Sequence, residues 1–269
     1  MYSMATETQQ QTLFEKIGRV GVITLNSPER LNAWSNEMAS GVIEYVNGCN
    51  ADPRIGAVVF TGVGRGFSSG ANLRARAEAP SDGQAAASES ANNSESIPLL
   101  FTRSKPIIAA VNGVAIGLGL TMTLSCDVRI ASDQARFSVR FVRMGLTPEY
   151  ASTFLLPQIV GLGNAMELII SGKIIDAEHA FRIGLVSRVV PHEKLMEEAL
   201  AVADEIAFNP TQQVRWAKQL VYANVVNNDI RGVQVGESAI FSAAGRTEAA
   251  REARAAFVEK REPRFHEGE

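Results

Sequence analysis

The sequence contains very few of the residues that build disulfide frameworks and zinc sites. Among its 269 residues are 2 cysteines and 3 histidines. Cys49 and Cys126 lie far apart and outside any Cys-x-x-Cys pattern, whereas a structural zinc site draws on a larger and more closely spaced ligand set. We therefore expect no disulfide framework and no metal site, and this cysteine usage fits the reducing conditions of the cytoplasm.

The chain also lacks an excess of positive charge. It has 26 Lys and Arg against 29 Asp and Glu, a formal net charge of -3. Because binding to a phosphate backbone requires a basic surface, this balance argues against a nucleic-acid partner. With 46% hydrophobic and 20% charged residues, the composition is that of an ordinary globular protein.

A membrane-spanning segment is lacking too, although one uncharged run resembles one. Residues 106–126 contain no charged side chain, and a transmembrane helix needs about 20 predominantly apolar residues. Asn112-Gly113 interrupts the run, and Gly117 and Gly119 follow closely, so we predict a buried strand, a turn and a buried helix. Residues 1–12 are polar and do not have the pattern of a signal peptide. We expect no membrane association and a cytoplasmic location.

Strand and helix patterns alternate up to Pro191. Short β-branched runs predict strands, and residues 32–46 predict a helix because their apolar positions recur at four-residue steps. Beyond Pro191 the strand pattern stops and helical spacing takes over. We therefore predict an α/β fold with a core at 1–191 and a helical C-terminal region at 192–269. The predicted strands are 21–25, 57–60, Ile107–Val111, 127–131 and 185–190, and the predicted C-terminal helices are 192–208, Thr211–Asn224 and 247–259.

Residues 75–96 differ in composition from the rest of the chain. They contain an alanine run and several serines but hardly any large apolar side chain, so they bury too little surface to order themselves firmly. A tolerated surface insertion and a mobile loop of an active site both fit this composition.

A short motif raises serine hydrolysis as a function. Gly66-Phe67-Ser68-Ser69-Gly70 matches the G-x-S-x-G pattern, which requires a strand that runs directly into the serine. Here the predicted strand ends near Thr61, and a further glycine-containing turn intervenes before Ser68. The context therefore disagrees with a hydrolase, and no Walker or dinucleotide-binding glycine pattern is present either.

Two glycine turns have two interpretations. Gly70-Ala71 and Gly117-Leu118 each end an extended segment just before a helix-like run, so their N–H groups are able to converge on one carbonyl oxygen. Glycines at these places also let elements of the fold pack closely. The spacing alone favours close packing and does not exclude the other interpretation.

The segment Leu146-Thr147-Pro148-Glu149 is typical of a helix start. Thr147 suits the N-cap, and Pro148 and Glu149 suit the first helical positions. A carboxylate there complements the helix dipole, which is a purely structural role. The same carboxylate stays ionised, as a general base must, so both roles remain open for Glu149.

Taken together, these motifs resemble the crotonase superfamily, whose enoyl-CoA hydratase/isomerase fold acts on acyl-CoA thioesters. Each piece is weak by itself, but the pieces occur in the family's order along nearly the whole chain. The matching segments are 25–33, 66–73, 105–113, 117–120, 126–127, 165–168 and 256–261.

The resemblance implies an α/β spiral of β-β-α turns, followed by helices that build a homotrimer, often doubled to a hexamer. It implies an acyl-CoA thioester as the bound partner and no metal or redox cofactor. It also implies that the N–H groups of Ala71 and Leu118 form an oxyanion hole for the thioester oxygen. The residues that it implies for substrate binding are Arg30, Ala33, Ala71, Asn72, Leu73, Arg74, Leu118, Phe257 and Lys260.

Departures from the family pattern decide which reaction we expect. Hydratases of the family carry two catalytic glutamates, and the positions that correspond to them here are Thr121 and Phe141. Glu149 instead falls in a segment similar to that of the Δ3,Δ2-enoyl-CoA isomerases, which use a single carboxylate at this place. In addition, Asn72 replaces the usual aspartate and Leu118 replaces a glycine.

The sequence therefore predicts an isomerase that shifts a double bond from 3-enoyl-CoA to 2-enoyl-CoA, with Glu149 as its base. An enoyl-CoA hydratase or another crotonase-family acyl-CoA isomerase is the alternative. A non-catalytic scaffold of the same fold is a further alternative, since two family carboxylates are missing.

Overall fold

The computed structural model describes residues 10–72 and 96–266, and the strands of this part form two sheets. The larger sheet consists of β1 (Thr12–Ile17), β2 (Val20–Leu25), β3 (Ala57–Gly62), β5 (Ile107–Val111), β7 (Val128–Ser132) and β10 (Arg188–Val190). The smaller sheet consists of β4 (Gly66–Ser68), β6 (Val114–Ile116), β8 (Arg136–Ser138) and β9 (Ile175–Asp176).

From β3 to β8, consecutive strands alternate between the two sheets. β3, β5 and β7 are parallel neighbours in the larger sheet, with β2 parallel to β3 and β10 parallel to β7. β4, β6 and β8, which follow them in the chain, are parallel neighbours in the smaller sheet. Each turn of the chain therefore adds one strand to each sheet. This is the α/β spiral of β-β-α turns that we expected, and the antiparallel strands β1 and β9 each close one edge.

Helices connect the turns of the spiral and occupy the C-terminal region. The α-helices are α1 (Asn36–Ala51), α2 (Ile97–Arg103), α3 (Leu118–Thr121), α4 (Ser152–Val160), α5 (Leu162–Ser171), α6 (Ala177–Arg182), α7 (Leu195–Phe208), α8 (Thr211–Asn224), α9 (Ile230–Ala244) and α10 (Glu248–Glu259). Short 3-10 helices lie at Pro28–Arg30, Met122–Ser125, Arg140–Met144 and His192–Lys194.

Helix ends explain where the predicted and observed bounds differ. The prediction that a helix covers 32–46 was wrong at its start, because Leu31 and Asn32 have left-handed φ angles of 51° and 53°. Helix α1 begins after Ser35, whose side chain accepts a hydrogen bond from the Met38 N–H. Helix α8 has the predicted bounds, whereas α9 was not predicted at all.

Two buried clusters hold the larger sheet between helices. Met38, Val42 and Val46 of α1 belong to the main cluster, which includes one face of the sheet. Ala199 and Val202 of α7 pack on the opposite face in the second cluster. Helix α7 thus covers the sheet although it follows residue 191, while α8 and α9 contain no buried residue. The division of the chain at residue 191 stays a prediction.

The uncharged run 106–126 folds as a buried part of the spiral. β5 is followed by the turn at Asn112-Gly113, then by β6, α3 and the 3-10 helix Met122–Ser125. The predicted strand, turn and buried helix are therefore confirmed, with β6 as an additional short strand. In the described part of the chain, no helix combines the length and apolar character needed to cross a membrane.

The predicted insertion at 75–96 lies outside the described residues apart from Ser96, so both interpretations of it remain open.

Candidate active site

An open cavity of about 230 Å³ lies where the ends of β4 and β6 meet the segment after β8. Three of the predicted site residues, Ala71, Leu118 and Glu149, line this cavity. The structure therefore brings together residues as far apart in the sequence as Ala71 and Glu149. The complete lining is Ser69, Gly70, Ala71, Ile116, Gly117, Leu118, Arg140, Phe141, Met144, Leu146 and Glu149.

The backbone at Ala71 is oriented by an isolated parallel bridge with Trp34. The Trp34 N–H donates to the Gly70 carbonyl at 2.7 Å, and the Asn72 N–H donates to the Trp34 carbonyl at 3.3 Å. In this pairing the bridged residue itself, Ala71, directs its N–H and C=O away from Trp34. Ala71 also lines the cavity, and its N–H takes no part in the pairing with Trp34.

The second backbone donor lies at the start of a helix. Helix α3 begins at Leu118, directly after Gly117, whose φ is 55°. The first N–H groups of a helix have no acceptor within the helix, and Leu118 occupies the first position. Its side chain is buried, and the residue lines the cavity.

Close backbone packing brings these two donors together. A Cβ atom added to Gly119 would lie 2.2 Å from the Ser68 carbonyl oxygen. A Cβ atom added to Gly70, whose φ is 91°, would lie 2.6 Å from the Ile116 carbonyl oxygen and 3.5 Å from the Leu118 nitrogen. The glycines therefore allow close packing, and this packing places the Gly70-Ala71 and Leu118 backbones side by side. Both interpretations of the glycine turns are compatible with this geometry.

Two buried asparagines support the turn that leads into β4. The Asn32 side chain accepts from the Ser27 N–H at 2.7 Å and donates to the Gly66 carbonyl at 2.7 Å. The Asn112 side chain donates to the Gly64 carbonyl at 2.8 Å. These bonds join three separate segments beneath the cavity. Both asparagines lie in the motifs quoted above, but their role as connectors was not visible in the sequence.

The segment around Glu149 corrects the predicted helix start. Helix α4 begins at Ser152, three residues after Glu149, and Tyr150 and Ala151 have left-handed φ angles of 60° and 55°. The Glu149 carbonyl accepts from the Ser152 N–H at 3.3 Å and from the Ser152 hydroxyl at 2.7 Å. Glu149 therefore precedes the helix in a tight turn that leaves its side chain exposed at the cavity.

The two positions that correspond to the hydratase glutamates have different surroundings. Phe141 is 7% exposed and lines the cavity. A Cβ atom added to Gly117 would lie 4.0 Å from the tip of its ring. Thr121 is fully buried, and its hydroxyl lies 3.4 Å from the Leu118 carbonyl. Neither side chain carries a carboxylate into the cavity.

The other predicted binding residues are distributed over several surfaces. Arg30 is exposed, and its carbonyl accepts from the Ser69 hydroxyl at 3.1 Å and from the Ala33 N–H at 3.1 Å. Asn72 follows Ala71 directly, whereas Leu73 and Arg74 lie outside the described residues. Phe257 and Lys260, at the end of α10, do not line the cavity of their own chain.

The serine of the G-x-S-x-G motif is unsuited to be a nucleophile. Ser68 is fully buried, and its hydroxyl donates to the Asn32 carbonyl at 2.8 Å. A serine nucleophile also needs a histidine base, and His192 pairs instead with the Ser132 hydroxyl at 3.1 Å. Sequence reasoning also missed Arg140, Met144 and Leu146 in the lining. The sequence signal that points to Arg140 is its position directly before Phe141, which corresponds to one of the hydratase glutamates.

Residues 15–268 match the family model for enoyl-CoA hydratase/isomerase. This chain belongs to the enoyl-CoA hydratase/isomerase family. The resemblance to the crotonase superfamily is thereby confirmed. The family fold is confirmed by an enoyl-CoA hydratase structure from Bacillus anthracis, which has a TM-score of 0.88 and 30% identity. That comparison covers 95% of this chain and 99% of the other.

Relatives within the enoyl-CoA hydratase/isomerase family carry names for both reactions. A probable enoyl-CoA hydratase of Mycobacterium bovis is 36% identical over 258 residues, covering 96% of this chain and 98% of that protein. The 1,2-epoxyphenylacetyl-CoA isomerase of Escherichia coli is 34% identical over 248 residues, covering 91% of this chain and 94% of that protein. The family thus establishes an acyl-CoA hydratase/isomerase, and the residues of the cavity must distinguish the two reactions.

Proposed function

We propose that this protein is an isomerase that moves the double bond of an enoyl-CoA thioester from C3 to C2. The observation that carries the proposal is the composition of the cavity. Ala71 and Leu118, whose N–H groups we propose as donors, line it, and among the described residues in its lining Glu149 is the one carboxylate. Proton transfer between two carbon atoms of one substrate needs one such group, which accepts the proton and returns it.

The proposed mechanism starts at the thioester oxygen. The N–H groups of Ala71 and Leu118 donate to this oxygen, and the Glu149 carboxylate removes a proton from C2. The resulting dienolate carries its negative charge at the oxygen, where the two donors stabilise it. The protonated Glu149 then delivers the proton to C4, which completes the double-bond shift. One oxyanion-hole donor contributes about 10²–10³ in rate, and a positioned base contributes about 10²–10⁴.

Phe141 supports isomerisation over hydration. Hydration of 2-enoyl-CoA needs a water molecule that is held and deprotonated next to C3, while C2 receives a proton. The family's hydratases use two carboxylates for this task, and Phe141 stands where one of them would be. An aromatic ring at the cavity also excludes water from the dienolate. The relatives named as hydratases keep hydration as the second candidate function.

We also propose that the protein acts in the cytoplasm as a homotrimer, or as a hexamer of two trimers. Helices α8–α10 support this because they expose large apolar side chains, including Ile230 and Phe241 at 81% each and Phe257 at 85%. Exposed apolar surface of this kind is typical of an interface between chains.

The reaction requires no metal or redox cofactor, because the chain supplies both the donors and the base.

A parallel assay with two substrates tests the function. Purified protein receives 3-hexenoyl-CoA in one series and crotonyl-CoA in another, and absorbance follows conjugation of the first and hydration of the second. We expect conjugation to be far faster than hydration. Equal rates would contradict a single-base mechanism, and tight binding of both thioesters without turnover would support a non-catalytic scaffold.

A further inference from the structure

A second charged side chain, Arg140, lines the same cavity as Glu149. It is the first residue of the 3-10 helix Arg140–Met144 and directly precedes Phe141. Its side chain is partly buried. Among the described residues that line the cavity, Arg140 supplies the positive charge and Glu149 the negative charge, so the cavity contains a cation as well as a base.

The Arg140 guanidinium has no protein partner within the described part of the chain. No carboxylate there lies within 4.0 Å of it, and Glu149 therefore forms no ion pair with it. Arg143, three residues further along the same 3-10 helix, donates instead to the Ser171 carbonyl at 2.9 Å. A guanidinium has five N–H donors, and a partly buried one without an acceptor is costly unless a ligand supplies it.

The other side chains that line the cavity strengthen the attraction between Arg140 and an anion. Ile116, Phe141, Met144 and Leu146 give the cavity a mostly apolar lining. In such surroundings the effective dielectric is lower than in water, so the attraction between a guanidinium and an anion is stronger. Arginine also matches the geometry of a carboxylate, because two parallel N–H groups donate to its two oxygens.

The position of the cavity indicates which part of a thioester meets Arg140. The backbone donors Ala71 and Leu118 line the same cavity, so its occupant is the acyl group next to the thioester oxygen. A cavity of about 150 Å³ holds a benzene molecule. The cavity here, at about 230 Å³, therefore accommodates a short acyl group. The phosphates of coenzyme A belong to the opposite end of the thioester.

We propose that Arg140 binds a second carboxylate carried by the acyl group, and that the substrates are CoA thioesters of short unsaturated dicarboxylic acids. This proposal rests on the proposed function, because it assigns the substrate class of the same site. Arg140 holds the distal carboxylate, the Ala71 and Leu118 N–H groups hold the thioester oxygen, and Glu149 faces the carbon atoms between them.

Two substrates of equal chain length test the proposal. 3-Hexenedioyl-CoA carries the distal carboxylate and 3-hexenoyl-CoA lacks it, and the readout is the ratio of their kcat/KM values. We expect the native protein to prefer the diacid. Arg140→Met should lower the ratio by roughly 10- to 100-fold, as expected for a hydrogen-bonded charge pair. Arg140→Lys should lower it less, and the matched control Arg143→Met should keep the native ratio.

A second pair of thioesters separates the acyl carboxylate from the phosphates of coenzyme A. The same two acyl groups are presented on pantetheine, which lacks the nucleotide and its phosphates. If the proposal is right, Arg140→Met lowers the diacid preference equally on both carriers. An equal loss for diacid and monoacid on coenzyme A, with no loss on pantetheine, would show that Arg140 binds phosphate and would overturn the proposal.

A binding measurement separates this proposal from the proposed isomerase function. Adipoyl-CoA and hexanoyl-CoA are saturated and cannot isomerise, so calorimetric titration reports binding alone. We expect adipoyl-CoA to bind roughly 10- to 100-fold more tightly to the native protein, with the preference lost in Arg140→Met. That result without any turnover of 3-enoyl thioesters would support the role of Arg140 while refuting the isomerase. Equal affinity for both saturated thioesters would overturn the role of Arg140.

Discussion

Trp34 and Ala71 form an isolated parallel bridge in which the Trp34 backbone bonds to the residues on either side of Ala71. This pairing turns the Ala71 N–H away from Trp34. At Leu118 the first position of a helix likewise leaves the backbone N–H without an acceptor inside the helix. The two donors that we propose for the thioester oxygen therefore depend on backbone geometry and not on the side chains at these positions.

Glu149→Gln should remove most of the isomerase activity. Glutamine has nearly the same size as glutamate but does not accept a proton at neutral pH, so kcat should fall by about 10²–10⁴ with little change in substrate binding. Turnover of 3-hexenoyl-CoA and the affinity for hexanoyl-CoA are the two measurements. The exposed residue Glu193 provides a control. Glu193→Gln removes the same negative charge at a residue that does not line the cavity. Native turnover in Glu149→Gln would contradict the assignment of the base.

Gly119→Ala should damage both the fold and the oxyanion hole. The added Cβ would lie 2.2 Å from the Ser68 carbonyl oxygen, which is backbone and has little room to move. The free energy of unfolding should fall by about 1–3 kcal/mol, and displacement of α3 should also lower kcat.

Gly48→Ala is the matched control in helix α1. A Cβ atom there meets nothing within 4 Å, so alanine should raise the free energy of unfolding by about 0.5–1 kcal/mol. Urea unfolding of both variants gives the comparison. Equal stability of Gly119→Ala and the native protein would mean that the α3 backbone is not packed tightly against β4.

Lys218→Met should loosen the attachment of α8 to the spiral. Lys218, whose side chain is only 7% exposed, forms an ion pair with Asp127 at 2.7 Å and also donates to the Phe101 carbonyl at 2.6 Å. Burial raises the pKa of Asp127 and lowers the pKa of Lys218, while the attraction between them opposes both shifts. Removal of the lysine leaves the Asp127 carboxylate with the hydrogen bond from the Ile107 N–H but without its ion-pair partner, which should cost about 3–5 kcal/mol of unfolding free energy.

An exposed ion pair provides the comparison for Lys218. Lys194 lies 2.9 Å from Glu197 at the surface, and Lys194→Met should cost less than about 1 kcal/mol. Adding Asp127→Asn to Lys218→Met should recover part of the loss, because the uncompensated charge is removed. Equal destabilisation by Lys218→Met and Lys194→Met in urea unfolding would refute the special role of the buried pair.

The two cysteines should be unreactive in the folded protein. Burial raises the pKa of the Cys49 thiol to about 11 and that of Cys126 to about 12. At pH 8 a disulfide reagent such as dithionitrobenzoate should therefore titrate neither thiol until denaturant is added, when it should titrate both. Rapid reaction of either thiol in the native protein would show that its site opens readily.

The same raised thiol pKa values fix the sign of one pH effect on stability. Unfolded thiols ionise near pH 9.0, whereas the folded ones keep their protons to higher pH. Their contribution to stability should be complete below pH 9.0 and decline as the pH rises through about 11 to 12. Unfolding experiments between pH 8 and 11, compared with Cys49→Ala, measure this contribution.

Much of the spiral was predictable because its central strands have a local signature. The β-branched run Ile107–Val111 was predicted with the bounds that the structure has. Strands β4, β6 and β8 were missed because three residues carry no periodicity, and their neighbours in the sheet supply their hydrogen bonds. Helix α9 was missed although it is long, since Gly232 and Gly236 lie in its interior and glycine disfavours a helix.

Local sequence also misplaced the start of α4. Thr147-Pro148-Glu149 has the residue types of a helix start, but the chain continues through the left-handed turn at Tyr150 and Ala151 before α4 begins. Local preferences of this size are about 1 kcal/mol, so the packing of Tyr150 against the main cluster overrides them.

By itself, the sequence determined the family, the α/β class and the helical C-terminal region, because these depend on ordered motifs and on hydrophobic periodicity along the chain. Only the tertiary structure decided that Ala71, Leu118 and Glu149 line one cavity and that Arg140 joins them there, without a partner among the described residues. These residues come from different turns of the spiral. Their meeting depends on strand pairing and close backbone contacts between distant segments, and such contacts leave no periodic signal in the sequence.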